Sequence, residues 1–166
     1  MSSFILTIAL PAATTDFFNQ LRRQYYPAHA NQVGAHITLF YRLPADEPRV
    51  AAALSAMDAQ TPFTIQVNGL QRYTNGIAYT LSSAPLQVLH QSLQQQWMDV
   101  LKWRDQQPLQ PHITIMNQAT AWKAQQAHEK LLAEFQPFEI EATGVQLWRY
   151  LKGPWKLLET YSFVRK

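Results

Sequence analysis

The tetrapeptide His-Ile-Thr-hydrophobic occurs twice in this chain, at His36–Leu39 and at His112–Ile115. In an extended strand, successive side chains point to opposite faces. The His and the Thr of each copy therefore share one face, about 7 Å apart, and the two apolar residues share the other. One His-x-Thr arises easily by chance, whereas two copies at matching places of an internal repeat do not. Two such strands across a groove would present two imidazoles and two hydroxyls to one ligand, which indicates a catalytic site for a phosphate diester.

The repeat extends to the elements around each tetrapeptide. Apolar spacing and helix and turn signals predict, in the first half, a strand over 4–10, a helix from Thr14–Asp16 to before Pro27, the motif strand over 35–41, a helix from Asp46 or Pro48, and two strands separated by Asn75-Gly76. The second half predicts a helix from Ser83 to Leu101, the motif strand over 111–116, a helix from Thr120 to Phe135, and strands over 138–150 and 155–164.

This order predicts an α+β fold in a single domain, residues 1–166, with two duplicated lobes related by an approximate two-fold axis. We expect lobes over roughly 11–82 and 83–166, with strand 4–10 joining one of the sheets. Mainly antiparallel sheets should face a central groove, with the motif strands central and the helices packed outside. Because such lobes complete the groove by themselves, we expect a monomer.

Composition narrows the function classes. The chain has 166 residues, 47% of them hydrophobic, which is enough for one substantial core. It has no cysteine, which excludes disulfides, thiol nucleophiles and thiolate metal sites. The first ten residues lack a basic leader, and their apolar run is too short to span a bilayer. We therefore expect a cytoplasmic protein without a membrane anchor. The net charge of +3 is mild support for a phosphate-bearing substrate.

Four segments carry a resemblance to a known family. They are Asn75–Leu81, Leu86–Leu93, Pro111–Ile115 and the closing hairpin from Trp148 to Phe163, read together with the two tetrapeptides. The chain resembles the two-histidine (2H) phosphoesterase superfamily, and within it the bacterial 2'-5' RNA ligase (LigT-like) group. The paired tetrapeptide is the specific part of this resemblance, and the flanking likeness is looser.

The resemblance implies a phosphodiesterase that needs no metal and no cofactor and opens 2',3'-cyclic phosphates on RNA termini or small nucleotides, with reverse 2'-5' RNA joining as a related activity. It implies that His36 and His112 are the acid–base pair and that Thr38 and Thr114 hold the phosphate. We assign His112 as the base and His36 as the acid, although a reversed substrate would exchange these roles. Two unperturbed imidazoles predict a bell-shaped pH profile with both limbs between about pH 5 and 8.

Two further residues are candidates for substrate binding. If the first motif strand stays regular, Arg42 rather than Tyr41 shares the face of His36 and contacts phosphate. Trp155, beside Gly153-Pro154, either stacks on a base or packs between strands.

The remaining tryptophans and one further histidine have weaker assignments. We expect Trp97, Trp103 and Trp122 to lie in the core. His29 lies in the loop before the first motif strand, which can form a wall of the site.

Two functions other than a 2',3'-cyclic phosphodiesterase are compatible with the sequence. The same residues would suit a phosphodiesterase for 2'-5' oligoadenylate or for a small cyclic nucleotide. A non-catalytic RNA-binding module is the third possibility, but binding alone requires basic and aromatic residues rather than a matched acid and base.

Overall fold

The computed structural model describes residues 3–166 and has the predicted α+β architecture, with two four-stranded antiparallel sheets and four α-helices in that range. In chain order the elements are β1 (Ser3–Ala9), α1 (Ala12–Tyr25), β2 (Thr38–Pro44), α2 (Pro48–Ser55), β3 (Phe63–Tyr73), β4 (Gly76–Ser82), α3 (Ala84–Trp97), β5 (His112–Met116), α4 (Ala121–Glu134), β6 (Phe138–Ala142), β7 (Gly144–Tyr150) and β8 (Trp155–Ser162). No helix within residues 3–166 is long and apolar enough to cross a lipid bilayer.

The strand order relates the two sheets to each other. The first sheet has the order β2-β1-β7-β8 and the second has the order β5-β4-β3-β6. The two motif-bearing strands, β2 and β5, therefore occupy the same place in their sheets, as a duplication requires. That place is the edge of each sheet, where we had expected a central position.

The chain divides between the sheets differently from the predicted lobes over 11–82 and 83–166. The hairpin of β3 and β4 pairs with β5, so it joins the second motif strand, while the hairpin of β7 and β8 pairs with β1 in the sheet of the first. The reason is that each motif strand pairs with the strand one helix before it: β2 with β1 across α1, and β5 with β4 across α3. Strand β1 lies inside the first sheet, between β2 and β7.

Two of the predicted helix caps form as the sequence indicates. The Ser83 hydroxyl accepts the Leu86 N–H at 3.3 Å before α3, and the Thr120 hydroxyl accepts the Lys123 N–H at 3.2 Å before α4. These bonds satisfy N–H groups that have no partner within the helix. Both helices that flank the second motif strand therefore begin at positions determined by local sequence.

The core spans both sheets and contains Trp97, which is fully buried as predicted. The prediction was wrong for Trp103 and Trp122, whose exposed fractions are 75% and 69%. Helix α4 turns its small residues Ala124 and Ala127 to the core, so Trp122 in its first turn projects away from the sheet. Size and apolarity alone could not predict this outcome.

Gly76 is required by a close approach between strands. It begins β4, and its φ is not in the left-handed region, so the turn before it does not need a glycine. A Cβ at this position would collide with the Met116 carbonyl oxygen of β5. The absence of a side chain therefore lets β5, which carries His112, pair with β4.

We expect Gly76→Ala to lower the free energy of unfolding by about 1–3 kcal/mol, because backbone atoms of β5 must move to admit the methyl group. Urea unfolding followed by circular dichroism measures the change. Gly34→Ala is the matched control, since its Cβ would meet only the Asn19 side chain, at 3.4 Å. Equal stability losses in the two variants would contradict the steric explanation.

Candidate active site

His36 lies two residues before β2, which begins at Thr38, later than the predicted start at 35. The main chain is nevertheless fixed there, because the Ile37 carbonyl accepts the Ile8 N–H at 3.0 Å. The His36 Nδ1 lies 2.7 Å from the Gly34 carbonyl oxygen. Since a carbonyl only accepts, Nδ1 must carry the proton, and the neutral ring then has its lone pair on Nε2.

His112 is held in the same way. It is the first residue of β5, and its Nδ1 lies 2.9 Å from the carbonyl oxygen of Gln110, two residues upstream. Both imidazoles thus use Nδ1 on the main chain and leave Nε2 for chemistry. The two rings are therefore oriented by the same local hydrogen bond.

One cavity of about 510 Å³ brings the four predicted motif side chains together. It is lined by His36, Thr38, His112 and Thr114, with Tyr41, Tyr73, Arg104, Met116 and Asn117 completing the wall. The two sheets therefore contribute their motif residues to a shared space. A group of the size of a phosphate diester fits within this volume, with threonine hydroxyls and imidazole nitrogens on both sides.

The environment of His36 disfavours its charged form. Burial, then the positive charges of Arg22 and His112, together outweigh the hydrogen bond to the Gly34 carbonyl and lower the pKa of His36 to about 4. At neutral pH the imidazole is uncharged and can accept a proton at Nε2. This favours His36 as the base, which is the reverse of the assignment made from the sequence.

Arg22 is a residue of the site that sequence reasoning missed. It is only 4% exposed; its Nη1 donates to the Thr114 carbonyl at 2.8 Å and its Nε donates to the Asn31 side chain at 3.0 Å. Its guanidinium also lies 4.3 Å from the ring centroid of Tyr26, and burial lowers its pKa. Arg22 thus ties α1 to the second motif strand and brings a positive charge to the site.

A signal for Arg22 was present in the sequence. It follows Phe18 by four residues, and residues at that spacing lie on the same face of a helix. Phe18 is completely buried, so a charged residue on its face must find polar partners inside the protein. Those partners lie in other elements, so the sequence could indicate the burial but not the contact with Thr114.

Tyr41, rather than Arg42, reaches the cavity. Strands β1 and β2 are out of regular register, because Thr38 pairs with Thr7 while Phe40 pairs with Leu6. Between these two pairs β2 has one residue more than β1, which breaks the alternation and turns Tyr41 to the side of Thr38. A second shift of register lies between the pairs of Leu6 and Phe4. The regular alternation on which the prediction for Arg42 depended is therefore absent, and its side chain is exposed outside the cavity.

The Tyr41 ring is stacked by a second arginine that the sequence did not reveal. The Arg104 guanidinium lies 3.5 Å from the ring centroid of Tyr41. The next residue, Asp105, is 2% exposed, and its carboxylate accepts the N–H groups of Tyr41 and Arg42 at 2.8 Å each. These bonds join the loop after α3 to the edge of β2 and place a positive charge at the cavity wall.

Trp155 lies against the first motif histidine. Its ring centroid is 4.5 Å from that of His36, and it lines a neighbouring cavity of about 550 Å³ together with Arg22, Thr114 and His29. An aromatic ring of this size beside the His36 imidazole contributes to the burial of that imidazole. His29 also lies on the wall that the loop before the first motif strand was expected to form.

Within residues 3–166, no group of three or more His, Asp or Glu side chains is placed to hold a metal ion.

We expect the pKa of His36 to make stability depend on pH. The unfolded chain takes up this proton near pH 6.5 and the folded protein only near pH 4, so the stability contributed by neutral His36 is present above pH 6.5 and lost as the pH falls to about 4. Urea unfolding measures the free energy of unfolding at each pH. Between pH 6.5 and pH 4 we expect this free energy to fall less in His36→Gln than in the wild type, by up to about 3 kcal/mol.

Subtracting the two curves cancels the other titrating groups, including His90, whose pKa is also lowered by burial. Parallel curves for the two proteins would show that His36 keeps an ordinary pKa in the folded state.

The fold is similar to solved structures from E. coli and Thermus thermophilus. E. coli LigT complexed with 3'-AMP shares 17% sequence identity with this chain, covers 99% of each chain and superposes with a TM-score of 0.63. TT0787 of Thermus thermophilus shares 19% identity, with coverage of 96% of this chain and 97% of that one and a TM-score of 0.65. At these identities, the likeness shows a common fold.

The sequence comparison identifies the family. No curated protein matches the chain significantly. Residues 10–154 match the family model described as the 2'-5' RNA ligase superfamily, and this range contains both tetrapeptides. The chain therefore belongs to the 2'-5' RNA ligase superfamily.

Proposed function

We propose that this protein is a metal-independent phosphodiesterase that opens a 2',3'-cyclic phosphate on RNA or a nucleotide to the 2'-phosphate. The observation that carries the proposal is the matched pair of imidazoles, each with Nδ1 on a carbonyl oxygen two residues upstream and both lining one cavity with two threonines. A binding module has no need for two imidazoles that both leave Nε2 free at one cavity. An acid–base reaction uses both, because one Nε2 accepts a proton and the other donates one.

The reaction follows from the different environments of the two imidazoles. The neutral His36 Nε2 removes a proton from a water aligned with phosphorus opposite the 3' oxygen. The water oxygen forms its bond to phosphorus, the bond between phosphorus and the 3' oxygen breaks, and His112 gives its proton to that leaving oxygen. One proton enters the site and one leaves it, and the phosphate stays on the 2' oxygen.

Charge on the non-bridging oxygens is stabilised from both sheets. Thr38 and Thr114 present hydroxyl donors from the two motif strands, and Arg104 adds a positive charge from the cavity wall. Arg22 acts on the same space through the strand it holds. It bonds to the main chain at Thr114, and its charge adds to the burial that lowers the pKa of His36.

A nucleotide is the substrate class that the surroundings favour. Trp155 offers a ring face beside His36, where a base can stack. The E. coli LigT structure described above holds 3'-AMP, so a protein of this fold accommodates a nucleotide monophosphate. Joining of RNA through a 2'-5' linkage would use the same residues, with a 5' hydroxyl in place of water: its oxygen bonds to phosphorus, the bond to the 3' oxygen breaks, and the phosphate stays on the 2' oxygen.

We expect His36→Ala and His112→Ala each to lower kcat by about 10²- to 10⁴-fold, because each removes one proton transfer. The assay is hydrolysis of an oligoribonucleotide with a 2',3'-cyclic phosphate in EDTA, with the product phosphate located by mass spectrometry. His128→Ala is the control, since that imidazole faces the Leu70 carbonyl rather than the cavity.

Turnover that survives in either motif variant would contradict the mechanism. Turnover only on 2'-5' oligoadenylate or a small cyclic nucleotide would move the substrate to that class. RNA binding without any turnover would identify a binding module.

We also expect the acid limb of the kcat/KM profile to have its midpoint near pH 4. The reason is that kcat/KM reports the pKa values of the free enzyme, where the pKa of His36 is about 4. Two unperturbed imidazoles would place this limb at a higher pH. Rates measured in overlapping buffers give the profile, with a uridine 2',3'-cyclic phosphate as the substrate because neither its base nor its phosphate titrates in this range. An acid limb near pH 6.5 would mean that His36 is not the base.

A further inference from the structure

A cavity of about 750 Å³ lies outside the site of the two histidines, between the end of α1 and the start of α4. The residues of its lining that matter here are Tyr26, His29, Gln118, Trp122, Lys123 and Lys130. We call this cavity the Trp122 groove. Most of its residues have no role in the proposed reaction.

The groove combines aromatic faces with positive charge. Trp122 is 69% exposed, although a tryptophan normally loses much of its surface on folding. Lys123 and Lys130 line the same groove and are exposed. Among the described residues that line it there is no carboxylate, and the nearby Glu129 instead accepts from Gln125 at 3.3 Å. Exposed rings beside cations suit stacked bases and a phosphate backbone.

The groove is continuous with the site of the two histidines. Tyr26, His29 and Gln118 line both the Trp122 groove and the neighbouring cavity that contains His36 and Trp155. A chain that leaves the histidines past Trp155 therefore meets these residues before it reaches Trp122. The two cavities form one path with the reacting atoms at one end.

The junction is held in an uncommon backbone conformation. Gln118 has a φ of +58°, in the left-handed region that non-glycine residues seldom adopt. It is fixed there because its N–H donates to the Asn117 side chain at 2.9 Å and the next N–H, of Ala119, donates to the Asn75 carbonyl at 3.1 Å. The turn into α4, and with it the position of Trp122, is thus rigidly tied to the second sheet.

We propose that the Trp122 groove binds the single-stranded RNA that continues from the cyclic phosphate, so that the protein acts on oligonucleotide ends in preference to mononucleotides. The inference rests on the proposed function for the reacting end of the path. Its own support is the continuity with that end and the charge complementarity of Lys123 and Lys130 to a polyanion. Trp122 supplies the stacking surface.

The test compares two substrates that both end in a 2',3'-cyclic phosphate: a dinucleotide and an RNA of about ten nucleotides, a length that spans typical single-strand sites. We expect Trp122→Ala to lower kcat/KM for the longer RNA by at least about fivefold, the loss of one stacked base, with the dinucleotide unchanged. Trp103→Ala is the matched control, because Trp103 is similarly exposed at 75% and lies outside the groove.

The lysines have a separate readout. The double variant Lys123→Gln/Lys130→Gln should reduce the slope of log affinity against log salt concentration by about 1.4 for the longer RNA, since each phosphate contact on a single strand contributes about 0.7. Lys102→Gln, an exposed lysine that does not line the groove, should leave the slope unchanged.

Binding of the same RNA with a 3'-phosphate end, followed by fluorescence anisotropy, separates this inference from the proposed function. Binding that depends on Trp122 in a protein without turnover would support the groove and overturn the phosphodiesterase. Turnover with equal kcat/KM for both substrates, unchanged in Trp122→Ala, would overturn the groove alone. Binding of an acidic peptide, but not of RNA, that depends on Trp122 would also overturn it.

Discussion

Antiparallel pairing of each motif strand with the strand one helix before it is the constraint on which the rest of the structure depends. It joins β2 to β1 and β5 to β4, and it leaves both motif strands at the edge of a sheet. An edge strand has one side without a neighbouring strand, and in β2 the N–H groups of Tyr41 and Arg42 donate to Asp105 instead. Side chains of both motif strands line the shared cavity. The two His-Ile-Thr copies meet because equivalent edges of two sheets are brought together.

The positions of the imidazoles and their chemistry have different origins. The bond from Nδ1 to the carbonyl two residues upstream is local and repeats in both copies, so it follows from the tetrapeptide and its extended approach. The lowered pKa of His36 has a tertiary origin. Burial and the nearby Arg22, which is anchored on the Thr114 carbonyl, lower it. Two copies of one motif thereby lie in different electrostatic environments.

Prediction from sequence succeeded where the signal was periodic or local. The α+β class, the helix caps at Ser83 and Thr120 and the burial of Trp97 followed from spacing and side-chain chemistry. It failed where the outcome depends on strand pairing between segments that are distant along the chain. The exchange of hairpins between the sheets depends on which strand edges meet, and the inserted residue in β2 that favours Tyr41 over Arg42 depends on the register with β1.

The sequence by itself determined the residues that can do chemistry: two copies of one tetrapeptide, with alternation that places each His with its Thr and the apolar residues in the core. Only the tertiary structure decided which charged and aromatic groups surround them. Arg22 bonds to the Thr114 carbonyl and Arg104 stacks on Tyr41, and each of these partners lies in an element distant along the chain. Such contacts depend on long-range packing, which no local pattern encodes.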